Sequence, residues 1–94
     1  TPGYATLPGG LILQWGQVRA HVADEATQTL DFPIAFPTQC LMRSATPFIA
    51  SPSADADAFV QIVGAADTSS MTIQVQNAND NDFVDGFDWF AIGC

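Results

Sequence analysis

Positive charge is almost missing from this 94-residue chain, which has two Lys+Arg against ten Asp+Glu, a formal charge of −8. Binding a nucleic-acid backbone needs cations that displace counterions, so that class is excluded. Histidine occurs once and cysteine twice. One His and two distant Cys do not make a zinc site, and two cysteines are too few for a disulfide scaffold. Cys40 lies in an apolar run and reads as a buried thiol; nothing indicates a bridge to Cys94. No run of about 20 apolar residues exists, so no helix spans a membrane, and no basic amphipathic segment lies on one. No sustained i, i+3, i+4, i+7 apolar stripe occurs either, which leaves at most one helical turn, at Asp24 to Thr27.

What is present is apolar and β-forming. Hydrophobic residues make up 48% of the chain and aromatic ones 11%, too much for a disordered acidic tail. They come in short runs broken by Gly, Pro, Asn and Asp. The expectation is one all-β domain over residues 1–94, with about six to eight short strands. A chain opening Thr1-Pro2-Gly3-Tyr4, without Met or a signal pattern, reads as a fragment of a longer protein.

The runs predict particular strands. A short one falls near Tyr4 to Leu7, and Pro8-Gly9-Gly10 is a tight turn. In Leu11 to Val22 the apolar positions change from odd to even around Gly16, which predicts a bulge or bend there. Arg19 and His21 then share a polar strand face. Asp24 to Gln28 reads as a polar turn, and a strand starts in Thr29 to Phe32. Phe32 to Pro37 reads as an extended edge segment anchored by aromatics, and Gln39 to Ser44 as a strand. Phe59 to Val63, apolar on both faces, is expected to be buried. Met71, Ile73 and Val75 alternate with Thr72, Gln74 and Gln76 as a half-buried strand. Phe87 to Gly93 closes the chain as an aromatic-rich strand.

Chemistry is sparse. His21 would have to serve any catalytic triad, and no nucleophile motif surrounds it. Asp80, Asp82, Asp85 and Asp88 with Asn77, Asn79 and Asn81 form the densest oxygen cluster. A generic Ca2+ loop over Asp80 to Asp88 is conceivable. The EF-hand spacing fails, since Val84 stands two after Asp82 and no Glu follows. The simpler reading is a solvated turn, because Asn and Asp stabilise turns through their own side chains. Asp55 and Asp57 form a smaller acidic pair of the same kind. Trp15 and Trp89 sit in apolar strands and read as core or interface, while Phe83 and Phe87 are the better exposed platforms.

Three segments carry a family resemblance: Leu7-Pro8-Gly9-Gly10-Leu11-Ile12-Leu13-Gln14-Trp15-Gly16, then Asp31-Phe32-Pro33-Ile34-Ala35-Phe36-Pro37-Thr38-Gln39-Cys40-Leu41, then Phe87-Asp88-Trp89-Phe90-Ala91-Ile92-Gly93. In order and spacing they resemble the C-terminal domain of gp53-like tail fibres of bacteriophages and prophages. Gly9 stands where that family often has Asn. The resemblance implies a compact antiparallel β-sandwich, a non-enzymatic binding module at the distal tip of a homotrimeric fibre of the virion. Its expected partners are copies of itself and a host surface polysaccharide or outer-membrane protein. Receptor contact is then expected from loops: Asp55, Asp57, Asn77, Asn79, Asp80, Asn81, Asp82, Phe83 and Asp85. Trp15, Phe36, Trp89 and Ile92 are expected in the trimer interface or core. The competing reading is a structural trimerisation cap with receptor contacts elsewhere; a depolymerase has least support. No metal or other cofactor is required.

Overall fold

The computed structural model describes residues 2–23, 25–54, 58–76 and 82–94. Among them run seven strands: β1 (Gly3–Thr6), β2 (Ile12–Val18), β3 (Ala26–Asp31), β4 (Cys40–Pro47), β5 (Phe59–Val63), β6 (Ser70–Gln76) and β7 (Phe87–Gly93). They form two antiparallel sheets, a four-stranded one in the order β1-β2-β7-β4 and a three-stranded one in the order β3-β6-β5. One core lies between them. It joins Ile12, Phe87, Trp89 and Ala91 of the first sheet to Met71, Ile73 and Val75 of the second.

The three-stranded sheet follows its sequence alternation. Met71, Ile73 and Val75 are buried while Thr72, Gln74 and Gln76 face out. Cross-strand partners share a face, so Thr29 meets Thr72 on the outside, and their hydroxyls lie 3.2 Å apart. β3 takes up Ala26 to Gln28, where a polar turn is expected from sequence, because Ala26 and Gln28 pair with Val75 and Ile73. Ala26 and Thr27 are thus strand and not a helical turn; Asp24 lies outside the described residues. β5 is correctly placed but not buried. It is an edge strand, and Phe59, Ile62 and Val63 are 46%, 38% and 36% exposed.

The four-stranded sheet departs further from its alternation. β2 pairs with β7 without interruption from Ile12 to Val18, so the bulge expected at Gly16 does not form. Ile12, Gln14 and Gly16 face the core throughout, and the apolar Leu13 and Trp15 face away from it. Gly16 has a different reason: a Cβ there would stand 2.6 Å from the Trp89 indole. The bulge is on β4. Cys40 opposes Gly93 but Met42 opposes Ile92, so Leu41 is the extra residue. Leu41 and Met42 consequently both face solvent. Pro47 ends β4 at the sheet edge, where a missing N–H breaks no ladder.

Between β1 and β2 the chain turns through Pro8–Gly10, with Gly9 and Gly10 at φ +86° and +84°, a region glycine enters without steric cost. The Leu7 N–H donates to the Leu11 carbonyl and closes this turn.

Phe32 to Pro37 is not an edge strand; it crosses from one sheet to the other. The N–H groups of Phe32 and Phe36 donate to the carbonyls of Ser69 and Thr68, beside the three-stranded sheet. Its middle is held to the four-stranded sheet by Gln14, a fully buried side chain. Gln14 Nε2 donates to the Ile34 carbonyl at 2.8 Å, and the Ile34 N–H donates back to Oε1 at 3.0 Å. Phe32 and Phe36 fill the interior, edge to face at 5.2 Å, with Trp89 5.7 Å from Phe32. The first two motifs are therefore two halves of one packing unit. Arg43 makes a second tie between layers, donating to the carbonyls of Gly64 and Ala65 just after β5.

Candidate functional site

Register places six strand ends together. Val18, Phe87 and Pro47 are mutual partners through β7, while Ala26 and Phe59 pair with Val75 and Gln76 at the end of β6. A bridge between Val22 and Val84 joins the two groups. The β2–β3, β4–β5 and β6–β7 connections thus all leave from this one end, the loop end. Gly64 to Ser69 leaves from the other end, beside the Pro8–Gly10 turn and Cys94.

The described part of the loop end is an aromatic and charged cluster. His21 Nδ1 lies 3.0 Å from Asp85 Oδ1, and the His21 ring packs on Phe83 with centroids 5.1 Å apart. The other Asp85 oxygen accepts from the Ala50 N–H at 2.9 Å. These bonds hold the Asp85 carboxyl below the usual aspartate range, the Ala50 N–H first and His21 second. Next to them Arg19 donates to Asp88 at 2.7 Å and to the Phe87 carbonyl, while its guanidinium covers the Phe48 ring at 3.7 Å. Each connection contributes: Arg19 and His21 from β2–β3, Phe48 and Ala50 from β4–β5, Phe83 and Asp85 from β6–β7.

The structure divides the residues expected at a receptor surface. Asp55, Asp57, Asn77, Asn79, Asp80 and Asn81 lie outside the described residues. Phe83 and Asp85 are in the cluster and partly exposed. Asp82 is buried at 2% exposure, contrary to its expected place on an open loop. Phe87, read as an exposed platform, is wholly buried on the inner face of β7. For the Ca2+ loop, Asp80 is outside the described residues, and Asp85 and Asp88 already bond to His21 and Arg19. Among the described residues no three His, Cys, Asp or Glu side chains gather for a metal.

Arg19 and His21 are the residues that sequence reasoning undervalued, placing both on a strand. They follow β2 instead. Charge held the signal: in a chain with two Lys+Arg, Arg19 stands two residues from the only histidine, and both can meet the acids near Phe83.

The four interface or core candidates separate cleanly. Phe36 and Trp89 are core, at 2% and 6% exposure. Trp15 is 39% exposed, and it and Ile92 lie on the outer face of the four-stranded sheet. Both cysteines are free thiols. Cys40 is buried, as expected from its apolar surroundings, and burial pushes its thiol up from the ordinary value.

The family described as "tail fiber protein gp53-like, C-terminal" matches residues 6–94. No curated protein sequence matches the chain closely enough to inform its function. Solved structures are more informative. The Pseudomonas aeruginosa (P. aeruginosa) R1 pyocin fibre comprising C-terminal residues 323–701 is 31% identical, with a TM-score of 0.73, over 90% of this chain and 24% of that one. An N-truncated R2-type pyocin tail fibre is 32% identical, with a TM-score of 0.71, over 99% of this chain and 34% of that one. An N-truncated R1-type fibre shares the fold at a TM-score of 0.75 and 24% identity, over 100% of this chain and 86% of that one. The chain therefore spans about a quarter to a third of two of these fibre structures and most of the third.

Proposed function

The chain belongs to the gp53-like family of tail-fibre C-terminal domains, and from that premise we propose that it is a non-enzymatic, homotrimeric fibre tip that binds a host surface receptor. As a tail-fibre domain of phage or pyocin type it is a component of a virion or phage-tail-like particle. The observation that carries receptor contact is the convergence of three connections at the loop end. Loops on a rigid β scaffold are where binding residues concentrate. Here the scaffold presents the Phe83 and His21 rings beside Asp85, Asp88 and Arg19.

Charge narrows the ligand. A trimer carries a formal charge of −24, three times −8. Phosphate-rich lipopolysaccharide would repel it without bridging divalent cations. A neutral polysaccharide or a loop of an outer-membrane protein fits better. A weak contact per copy is sufficient, because three copies per tip raise avidity steeply.

The test is adsorption to host cells by particles whose fibres carry Phe83→Ala together with His21→Ala. With the trimer intact, adsorption falls at least about tenfold, or ~1.4 kcal/mol. Chelator leaves the parent's adsorption unchanged; soluble O-polysaccharide weakens it where the receptor is the polysaccharide and leaves it unchanged where the receptor is an outer-membrane protein. Unchanged adsorption by the double variant would favour a second reading, a structural trimerisation cap. The apolar outer face carrying Trp15 and Phe90 is the observation on that side.

A further inference from the structure

Asp85 is followed by Gly86, and nowhere else in the sequence does Asp or Asn precede glycine. That pair carries a chemistry of its own. The backbone nitrogen of the second residue can attack the side-chain carboxyl carbon of the first, and glycine lacks the side chain that elsewhere shields this nitrogen. The new C–N bond closes a five-membered imide, while the amide proton and the carboxyl OH depart together as water. Water then reopens the ring at either carbonyl. One opening restores aspartate. The other leaves isoaspartate, with the main chain running through Asp85 Cβ and Cγ. Nothing is oxidised or reduced, and water is the only co-reactant.

The structure fixes both partners of this step. A Cβ at Gly86 would collide with the Val18 carbonyl, and Gly86 has φ +136°. Glycine is therefore required there, and only Asp85 can govern the reaction. Both Asp85 carboxylate oxygens are occupied, Oδ1 by His21 Nδ1 at 3.0 Å and Oδ2 by the Ala50 N–H at 2.9 Å. The main chain is held on each side. The Asp85 N–H donates to the Phe48 carbonyl at 2.8 Å, and the Phe48 N–H donates to the Gly86 carbonyl at 2.9 Å. Ring closure removes one carboxyl oxygen, so it must break the bond to His21 or the bond to Ala50. It also needs the neutral carboxyl, because an ionised one has no OH to lose. The same two bonds favour the ionised form.

We propose that Asp85–Gly86 is a spontaneous isomerisation site at the loop end, held in check by the His21 and Ala50 bonds to the Asp85 carboxylate. The product undoes what holds it. Isoaspartate adds a carbon to the main chain between the two Phe48 bonds. Its free carboxyl sits directly on Cα, so the reach that spans His21 and Ala50 is lost. The three connections then lose their shared tie, which makes this a chemical ageing step of the surface proposed above for receptor contact. The isomer is detected without any receptor, so this inference stands or fails separately from that reading.

The test incubates the chain for several weeks at body temperature and neutral pH. Peptide mapping separates aspartate from isoaspartate at position 85, and an isoaspartyl methyltransferase counts the isomer. The folded parent converts at least about tenfold more slowly than the same chain unfolded in guanidinium, because reaction waits on local opening. His21→Phe keeps a ring against Phe83 and removes the bond to Asp85. It converts roughly two- to fivefold faster than the parent, the size set by an exposed pair. His21→Asn, whose side-chain amide can donate from the position of Nδ1, converts at the parental rate. Asp85→Glu, whose ring would be six-membered, gives no isomer. Circular dichroism checks that each variant is folded, and His21→Leu replaces His21→Phe if that one is not. A folded parent that isomerises as fast as the unfolded chain overturns the proposal. So does a folded variant without the His21 donor that converts at the parental rate.

Discussion

The two sheets bury similar inner faces and turn opposite outer faces to the surroundings. Outside the three-stranded sheet, β3 and β6 show Thr27, Thr29, Thr72, Gln74 and Gln76, a polar surface, with Phe59 and Val63 of β5 along one edge. Outside the four-stranded sheet lie Leu13, Trp15, Phe90, Ile92 and Met42. An antiparallel sheet with one solvated side gives a clean polar alternation. β3 and β6 meet that description. The four-stranded sheet departs from it across its Leu13 and Trp15 rows and returns to it at Gln17, Asp88 and Thr46. The contrast separates residues that hold the chain folded from residues available for contact.

The sharpest way to break this contrast uses one residue type on one strand. Phe87 is fully buried, and Phe90 is 45% exposed on the opposite face of β7. Phe87→Ala should lower unfolding stability by about 3–5 kcal/mol, through lost transfer energy and a cavity. Phe90→Ala, measured under dilute monomeric conditions, should change it by less than about 1 kcal/mol. Chemical denaturation of both variants decides it. Equal losses would mean that the outer face also carries the monomer's stability.

Glutamine gives the second pair. Gln14 is on the inner face of the four-stranded sheet, and Gln74 on the outer face of the other. Gln14→Leu leaves the Ile34 N–H and carbonyl without their partner, at roughly 1–3 kcal/mol for each buried group so orphaned. It also frees the crossing segment from Phe32 to Pro37. Gln74→Leu should stay within about 0.5 kcal/mol. Melting curves of the two variants check both.

The same contrast explains what was legible in the sequence. β6 was readable because its outward positions are polar, as alternation assumes. For β2 that assumption fails. Leu13 and Trp15 are apolar yet face outwards, so the odd-to-even change mimics a slip and predicts a bulge that does not form. Gly16 was rightly singled out, but its cause, the Trp89 ring, comes from a strand more than seventy residues later. The true bulge at Leu41 was silent, because Cys40, Leu41 and Met42 are all apolar and their order carries no face. In the loop-end cluster Phe83 and Asp85 were legible from turn chemistry. Arg19 and His21 were not, since their acidic partners are 69 and 64 positions away.

The smallest expected effect concerns charge, which the Leu13 and Trp15 rows lack and the loop end concentrates. Asp85 is held below the ordinary aspartate range by the Ala50 N–H and then by His21. A carboxylate with a depressed folded pKa adds stability that is complete above its unfolded value, about 3.9, and lost as pH falls through the folded one. The parent should therefore be more stable than Asp85→Asn at neutral pH, with the gap closing only as pH falls below about 4. Urea titrations of both chains at several pH values measure that gap. The pair is exposed, so the gap is small and shrinks further with salt. Phe90→Ala should show no such pH-dependent gap from the parent, because its row contains no titrating side chain. A gap that instead opens on acidification would reverse the sign assigned to Asp85 and remove it as the tie between His21 and Ala50.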